Sequence, residues 1–537
     1  MLQRSRHVEP PCPKRPHALC RSLAPEAGKP ATPLLPSRGG AGAAGEDKRV
    51  EGVRTNMGNR FYGRTVILTN GTFLNGLIHV GDKQYSGGRS GEKASFGLSE
   101  QLAELGFETG RMKTGTPPRV DGRTIDYSRL EEQPGEAPAG RFSYLPTTPL
   151  VNQVPCHIGY TNPQVHQILE QGLDASPLYN GTIQSTGPRY CPSIEDKIVR
   201  FAEKDRHQLF IEPEGWQTCE VYLNGFSSSL PEDIQLKALR LVEGFEHARL
   251  FRPGYAIEYD FFPPNQLHTS LETRHVEGLF FAGQINGTTG YEEAGCQGLM
   301  AGLNAVRKLR DEPPVVLGRN EAYIGVLVDD LIHKSTDEPY RMFTSRAEYR
   351  ILLRQDNADQ RLTPLGRDLG LVDDERWSLY ETKMASISGL MKQMQEQSVA
   401  PEEINGWLEA RSESPIKQKI KFPNLITRPK LNLELLAEPL PWLREALTTH
   451  TEEVSQQVEI QLKYAGYIEK EKENADKLKR MEDLKLPAGY DYTRIHSLSN
   501  EAREKLQRLQ PGSIGQASRI SGVNPSDISV LLVHLGR

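Results

Sequence analysis

The stretch LFFAGQINGTTGYEEA, residues 279–294, predicts the fold of the first half of the chain. A short apolar run leads into a glycine-rich turn, and a helix-like segment follows from about Tyr291. Strand, turn and helix in that order build α/β sheets. Glycines let the backbone approach a cofactor closely, and a helix N-terminus stabilises an anionic group. Because the spacing is not G-x-G-x-x-G, this pattern alone does not identify a cofactor.

Two flanking segments extend this unit. The segment RTVILTNGTFLNGLIHVG, residues 64–81, predicts a buried strand, a glycine turn and a second strand. Residues 99–105 predict a short helix that ends at Gly106. The next segment, RMKTGTPPRV at residues 111–120, is typical of a polar loop, either solvated or bordering an active site.

The middle of the chain differs from its second half. Residues 126–265 alternate short strands and turns, IVRF among them, and predict a mainly β insertion with one helix near residues 231–248. Residues 266–312 return to the strand–turn–helix unit. From about residue 313 the chain becomes mostly helical, with long amphipathic segments near residues 375–397 and 452–483.

Composition narrows the class of protein. The chain has 537 residues, 37% hydrophobic content and a formal net charge of −5. Its apolar runs are too short to cross a bilayer, so we expect a water-soluble protein with no membrane contact. Six scattered cysteines without a CxxC pair argue against a metal site, a disulfide framework and a disulfide reductase, and they indicate a reducing compartment.

Residues 1–57 are rich in Pro, Arg, Ala and Gly and show no hydrophobic period. This composition predicts a disordered or non-native low-complexity tail. The segment has ten Lys or Arg and five Asp or Glu, whereas a transit peptide should be poor in acidic residues. We therefore favour a tail fused to a truncated coding region over organelle targeting.

A lone cysteine stands in GPRYCPSIE, residues 187–195. A thiol reacts as the thiolate, which a nearby cation or a helix N-terminus stabilises. Arg189 lies two residues before Cys191, and Pro192 suits the first position of a helical turn. The alternative is an ordinary half-buried cysteine, and spacing alone does not decide between the two.

The strings GPRYCPSIEDK and AGQINGTTGYEEA resemble the MnmG/GidA family, the FAD-binding subunit of the tRNA uridine 5-carboxymethylaminomethyl modification enzyme, and the resemblance runs from about Gly58 to the C-terminus. It implies modification of carbon 5 of the wobble uridine in tRNA. It also implies FAD, NADH and methylene-tetrahydrofolate as a one-carbon donor, a GTPase partner similar to MnmE, and a homodimer. The implied location is the cytoplasm, with a mitochondrial or plastid matrix as the alternative.

The resemblance also implies site residues. Cys191 would be the catalytic residue, as a nucleophile toward the uridine ring or as a proton donor, and the sequence does not choose between them. The segment from Gly187 to Phe201 would line the nicotinamide site. The implied cofactor-binding residues are Gly71, Ser95, Gly187, Pro188, Arg189, Tyr190, Glu195, Gly283 and Gln284.

One part of the family pattern is missing. Family members begin with a strand and a G-x-G-x-x-G-type turn that holds the FAD pyrophosphate at a helix N-terminus. No such turn follows a predicted strand here, and Gly39-Gly40 and Gly87-Gly88 are poor substitutes. We therefore expect a chain that lacks the N-terminal FAD pyrophosphate-binding segment and binds FAD weakly or not at all.

Two basic regions are candidate RNA contacts. Arg346, Arg350 and Arg354 are spaced four apart, which predicts that they share one face of a helix. That face is either paired with neighbouring acidic residues or contacts phosphates. Residues 485–537 carry seven Lys or Arg and four Asp or Glu, and from Leu484 they predict three short helices. Tyr490 and Tyr492 are candidates for stacking on a base. The predicted tRNA-binding residues are Arg503, Lys505, Arg508 and Arg519.

The predicted fold class is α/β: a truncated Rossmann-like FAD/NAD-binding domain with a mainly β insertion, followed by an all-α C-terminal region. The alternatives are a non-catalytic tRNA- or partner-binding fragment and a folate-dependent tRNA methyltransferase, which lacks the long helical tail. The predicted domains are 1–57, a tail; 58–125, a partial FAD-binding domain; 126–265, an inserted NAD-binding β domain; 266–312, the FAD-binding return segment; 313–470, a helical domain; and 471–537, a tRNA- or partner-binding subdomain.

Overall fold

The computed structural model describes residues 31–34, 48–137, 139–148, 153–187, 192–334, 338–487 and 489–535. The chain forms two compact units. The first comprises residues 1–133, 156–314 and 337–340, and the second comprises residues 134–155, 315–336 and 341–537.

The secondary structure of the described residues is mixed in the first unit and almost entirely helical in the second. The strands are β1 Ala31–Leu34, β2 Gly52–Thr55, β3 Arg60–Tyr62, β4 Val66–Leu68, β5 Leu77–Val80, β6 Lys83–Ser86, β7 Gly110–Thr116, β8 Arg119–Asp121, β9 Glu131–Gln133, β10 Cys156–Tyr160, β11 Gln208–Pro213, β12 Glu220–Asn224, β13 Leu250–Arg252, β14 Tyr255–Phe261, β15 Leu279–Phe281, β16 Ser398–Val399 and β17 Ile420–Lys421. The α-helices are α1 Leu98–Glu104, α2 Pro163–Glu170, α3 Ile194–Arg200, α4 Glu232–Leu239, α5 Tyr291–Leu309, α6 Tyr323–His333, α7 Ala358–Asp368, α8 Asp374–Glu396, α9 Pro401–Ala410, α10 Phe422–Ile426, α11 Leu433–Leu436, α12 Pro441–Thr448, α13 Glu452–Lys463, α14 Ala465–Asp483, α15 Asn500–Leu509, α16 Ile514–Arg519 and α17 Pro525–His534.

The strand–turn–helix unit predicted from residues 279–294 is confirmed. Strand β15 is completely buried and pairs in parallel with β4, so that Phe280 lies opposite Ile67. Helix α5 follows the glycine turn after β15. The parallel pair therefore places the ends of both strands at one edge, where α/β proteins bind ligands.

A four-stranded antiparallel sheet in the order β6-β5-β14-β7 lies in the same unit. The prediction of a polar loop at residues 111–120 is wrong, because β7 pairs with β14 over seven positions from Gly110 to Thr116. Its two glycines and its charged side chains give a weak strand signal, and the long β14 partner decides the conformation.

A second sheet has the order β13-β8-β12-β11-β10-β9. Its core includes Leu209, Ile211 and Leu223, and residues from α2, α3 and α4 pack on it. The prediction of one helix in this region is wrong, since its described residues form three α-helices, α2, α3 and α4. IVRF belongs mostly to α3 because a capping box at Ser193 starts a helix just before it.

The region before Gly58 is partly structured. Strands β2 and β3 form an antiparallel hairpin, and β2 lies within the predicted tail. Disorder was therefore the wrong prediction for residues 52–55. The rest of that prediction falls largely on residues 1–30 and 35–47, which lie outside the described residues.

The second unit has its own helical core, which includes Leu390, Met394 and Phe422. The long amphipathic segments form α8 and the pair α13 and α14. The predicted helix face of Arg346, Arg350 and Arg354 is wrong. A single 3-10 turn ends at Arg346, and the Arg354 side chain turns back to the carbonyl oxygen of Ile351, 2.5 Å away.

The three short C-terminal helices are confirmed as α15, α16 and α17. We call residues 484–535 the C-terminal module. Ser499 caps α15 by accepting a hydrogen bond from the Ala502 backbone N–H, and Asn524 and Asp527 form a capping box on α17. Across the described ranges, no helix is both long and apolar enough to cross a membrane.

Candidate functional site

Two glycine turns meet at the edge where β4 and β15 end. Asn70-Gly71 follows β4, and Gly283-Gln284 follows β15. A β-carbon built on Gly71 would lie 3.8 Å from Oε1 of Gln284, so the two turns are neighbours. Gly283 has a φ of +86° and a ψ of −142°, a conformation that favours glycine. The structure thus brings two of the predicted cofactor-binding residues, which are far apart in the chain, to one edge.

Polar atoms at this edge remain available to a ligand. The Asn70 Oδ1 atom is buried and has no hydrogen-bond partner within the described structure. The Gln284 amide donates to the Tyr259 hydroxyl at 3.4 Å, and burial raises the pKa of Tyr259 to about 12, so that phenol stays neutral. Gly290 gives α5 no side-chain cap, and Tyr291 after it is 96% exposed. Such an edge suits a flat polar ring with hydrogen-bonding groups on its rim.

Ser95 pairs through its backbone with the chain just after the Gly71 turn. It pairs with Leu74, and its carbonyl oxygen accepts a hydrogen bond from the Asn75 N–H at 2.9 Å. The structure therefore places Ser95 beside the chain three residues after Gly71, and Gly71 itself beside Gln284.

A phosphate-binding turn is a separate requirement for a dinucleotide. The spacing G-x-G-x-x-G does occur at Gly40, Gly42 and Gly45, which the sequence analysis passed over, but these glycines lie outside the described residues. The motif needs a helix that opens from the turn. From Lys48 the chain instead enters strand β2. The described residues therefore fit the ring end of a flavin and show no cradle for its pyrophosphate.

A cavity of about 450 Å³ also lies in the first unit. That volume is within the usual range for small-ligand sites. Gly187 and Pro192 are on its wall, and the predicted site residues Pro188, Arg189, Tyr190 and Cys191 fall between them, outside the described residues. The lining residues are Lys113, Leu178, Tyr179, Ile183, Ser185, Gly187, Pro192, Asp196, Val199 and Arg200.

The start of α3 differs from the prediction. Ser193 is the N-cap, so the helix begins at Ile194, two residues beyond Pro192. Glu195 is fully buried, and its Oε1 accepts hydrogen bonds from the N–H and the hydroxyl of Ser229 at 2.8 and 3.0 Å. Burial raises the pKa of this carboxyl. These contacts direct Glu195 into the protein core, and its cofactor contact stays a prediction.

One group near the cavity was missed by sequence analysis. The Glu258 carboxylate lies 3.0 Å from Nε2 of His79 and accepts a hydrogen bond from the Ser185 hydroxyl at 2.7 Å. We call these three residues the Glu258 cluster. Lys113 is opposite Glu258 in the β7–β14 ladder, so both side chains share a face. The available sequence signal was the presence of two acidic residues, Glu258 and Asp260, inside the otherwise apolar stretch YAIEYDFF.

The basic residues of the 111–120 segment have acidic partners. Arg111 forms an ion pair with Asp260 at 2.7 Å. Arg119 pairs with Glu214, and its guanidinium lies over the Tyr222 ring, 4.5 Å from the centroid. These contacts hold strands together and explain why a segment rich in cations folds as part of a sheet.

The predicted tRNA contacts are not alike in their surroundings. On α15, Arg508 is exposed and Arg503 donates to Asn500 at 2.7 Å. Lys505 donates to Glu501 and to the Ser521 carbonyl oxygen, both at 2.7 Å. All three lie on one short helix of the C-terminal module.

Arg519 has a different role in the structure. It is held by Asp329 at 2.7 and 2.8 Å and by Glu482, and its side chain is only 16% exposed. Its guanidinium therefore stabilises the second unit. Tyr492 is completely buried, so the prediction that it stacks on a base is wrong; Tyr490 packs edge-on against it.

Known proteins match most of this chain. The family model named Glucose inhibited division protein A matches residues 40–313, which begins ahead of Gly58, where the motifs had placed the start. Models of the C-terminal helical domain and the C-terminal helical bundle of the tRNA modifying enzyme MnmG/GidA match residues 374–472 and 474–537.

Individual relatives agree with the family models. The MnmG protein of Christiangramia forsetii, named tRNA uridine 5-carboxymethylaminomethyl modification enzyme, is 59% identical over 93% of this chain and 80% of its own length. That of Cytophaga hutchinsonii is 57% identical over 91% and 79%. The solved structure of Aquifex aeolicus GidA in its form I crystal superposes with a TM-score of 0.80, at 45% identity over 91% of this chain and 78% of that one.

Proposed function

This chain belongs to the MnmG/GidA family, and we propose from that premise that it modifies the wobble uridine of tRNA at carbon 5 as an FAD-dependent enzyme. The observation that carries the proposal is the match itself. It extends over the sheet with the two glycine turns and over the C-terminal helices, at 59% identity to a relative named for this reaction.

The edge at the ends of β4 and β15 supports a flavin site. Gly71 and Gly283 leave room for a close approach, and Gln284 presents an amide beside them. These residues, with Ser95, would contact the flavin ring. The flavin supplies electron transfer when bound, and the protein contributes the hydrogen-bonding edge that orients its ring.

The 450 Å³ cavity supports a site for NADH, the proposed reductant. Lys113 and Arg200 lie on its wall against one carboxylate, Asp196, which is 3.7 Å from Arg200, and the remaining positive charge suits the phosphates of a dinucleotide. We propose that Gly187 contacts this ligand together with Pro188, Arg189 and Tyr190. Cys191 is the proposed catalytic residue and acts on the uridine ring as a nucleophile or as a proton donor.

Further partners follow from the family. We propose methylene-tetrahydrofolate as the one-carbon donor, a GTPase similar to MnmE as the second subunit, and a homodimer of this chain. Arg503, Lys505 and Arg508 on α15 are the proposed phosphate contacts for tRNA. The proposed location is the cytoplasm, with an organelle matrix as the alternative.

The first experiment is the visible absorption spectrum of the purified chain with and without added FAD. If the chain acts as the enzyme, added FAD should give a bound-flavin spectrum even though the expected affinity is weak, and the wobble uridine should be modified when tRNA, NADH, the folate donor and the GTPase subunit are supplied. Mass spectrometry of the tRNA nucleosides measures the product. Cys191→Ser should abolish the product, whereas Cys219→Ser, the matched control, should leave it unchanged.

A second candidate is a tRNA- or partner-binding protein without catalysis. It is favoured by one observation: the described residues show no strand–glycine turn–helix unit for the flavin pyrophosphate. A folded chain that retains tRNA but binds no flavin would support this candidate and contradict the enzyme. The folate-dependent methyltransferase is disfavoured, because the MnmG/GidA C-terminal models match residues 374–472 and 474–537.

A further inference from the structure

The Glu258 cluster determines which way a hydroxyl on the cavity wall points its proton. His79 is only 1% exposed, and burial lowers the pKa of its imidazole, so it is neutral near pH 7. Its Nδ1 atom is buried without a hydrogen-bond partner in the described structure. A bare ring nitrogen costs less there than an unpaired N–H, so the proton belongs on Nε2, facing Glu258.

The carboxylate of Glu258 therefore receives two donors. His79 donates to Oε2 at 3.0 Å, and Ser185 donates to Oε1 at 2.7 Å. A carboxylate only accepts, so the Ser185 proton is committed to it. The Ser185 oxygen keeps both of its lone pairs for other partners.

Ser185 lines the 450 Å³ cavity, and its segment is fixed in place. The Lys113 N–H donates to the carbonyl oxygen of Thr186 at 3.1 Å, which ties the segment to β7. A ligand that reaches Ser185 consequently meets a hydrogen-bond acceptor with a set direction. Two cations on this wall, Lys113 and Arg200, outnumber its one carboxylate, Asp196, which lies 3.7 Å from Arg200, so the wall favours an anionic ligand.

We propose that Ser185 is a specificity-determining residue: held by Glu258 and His79 as a fixed acceptor, it selects an anionic nucleotide that presents an amide N–H. This rests on the proposed NADH site, where the nicotinamide carboxamide is the amide. The carboxamide N–H donates to Ser185 Oγ. A ligand with a ketone in place of the carboxamide has no such donor, so its oxygen and Ser185 Oγ are both acceptors and it binds more weakly.

The test compares two dinucleotides on the full chain by fluorescence titration of the reduced ring. The probes are NADH and reduced 3-acetylpyridine adenine dinucleotide, in which a methyl ketone replaces the carboxamide. We expect the unaltered chain to bind NADH about tenfold more tightly, the worth of one hydrogen bond. Ser185→Ala should reduce the ratio to near one, and Ser185→Thr should restore it.

A further variant should reverse the direction of the Ser185 hydroxyl. In Glu258→Gln the amide oxygen must accept from His79, so the amide NH₂ faces Ser185 and the hydroxyl proton turns to the cavity. The preference for NADH should then fall to near one, because the carboxamide can turn its carbonyl oxygen toward the hydroxyl just as the ketone does. The matched control is Ser128→Ala, at a residue that does not line this cavity. It removes a hydroxyl that donates to Asp126 at 2.6 Å and should leave the ratio unchanged.

The outcomes separate the two proposals. Equal binding of both dinucleotides by the unaltered chain, or a tenfold ratio that survives Ser185→Ala, overturns the role of Ser185 and leaves the NADH site standing. If neither dinucleotide binds, the NADH site itself is refuted, and the role of Ser185 with it. The readout is binding, so it does not depend on whether the chain carries flavin.

Discussion

The Glu258 cluster and the C-terminal module are both built from polar side chains that satisfy backbone or side-chain partners, yet they are assembled differently. In the cluster, the hydrogen bonds join residues 179 and 73 positions apart. In the module, Ser499, Ser513 and Asn524 begin their helices with partners three positions along the chain. Local partners can be read from sequence spacing, and distant ones cannot.

Arg519 combines features of both cases, and its replacement should cause the largest loss of stability. It sits in a helix that the sequence predicted, but its partner Asp329 is 190 positions away. Although burial opposes it, hydrogen bonding from His333 and the Arg519 guanidinium keep the pKa of Asp329 well below its usual range. Arg519→Ala should cost about 3 kcal/mol, because it removes one partner of a buried ion pair. Urea denaturation, monitored by the helical circular dichroism signal, measures this loss of stability.

Arg508→Ala is the matched variant, because Arg508 is exposed on the neighbouring helix. It should leave stability unchanged and weaken tRNA binding, with the salt dependence reduced by about one phosphate contact. Binding isotherms at several salt concentrations measure this. If Arg508→Ala destabilises the chain as much as Arg519→Ala does, the distinction between the two arginines is wrong.

The second largest loss of stability is expected in the Glu258 cluster. His79→Leu removes the N–H that faces the buried Glu258 carboxylate and should cost about 1–3 kcal/mol. Hydrogen exchange of peptides from β14 should accelerate, while those from α15 should not. His247→Leu, at an exposed position, is the control and should change neither. Equal acceleration in α15 would show that the cluster is not a local support of its sheet.

The third effect is the helix cap. Ser499→Ala removes the acceptor for the Ala502 N–H and should destabilise α15 by about 1 kcal/mol. Hydrogen exchange within residues 500–509 is the measurement. Ser529→Ala, which removes a hydroxyl bonded to the Pro525 carbonyl oxygen inside α17, should have a much smaller effect. A larger effect there than at Ser499 would contradict the capping assignment.

The smallest effect is a pH dependence. Because burial lowers the pKa of His79 in the folded chain, the unfolded chain takes up this proton first as the pH falls below the ordinary value of 6.5. Stability from this group is therefore present near pH 7.5 and decreases toward pH 5.5. His79→Gln keeps an N–H donor and does not titrate, so its melting temperature should fall less over this interval. An identical fall in both proteins would mean that His79 does not contribute.

Sequence reasoning predicted the elements whose signals are local. The strand, glycine turn and helix at residues 279–294 and the three capped helices after Leu484 are present. It failed at residues 111–120, where polar side chains suggested a loop, and at Arg346, where arginine spacing suggested a helix. In both places the conformation is set by partners that spacing does not reveal: the ladder with β14 and turns closed by backbone carbonyls.

The sequence by itself determined the family, the two glycine turns and the caps of the C-terminal helices, because each depends on residues a few positions apart. The tertiary structure alone decided that Gly71 meets Gln284, that Arg519 is committed to Asp329 rather than exposed, and that Ser185 shares Glu258 with His79. The physical reason is that charge, burial and hydrogen-bond direction depend on neighbours in space, and strand pairing brings those neighbours from distant parts of the chain.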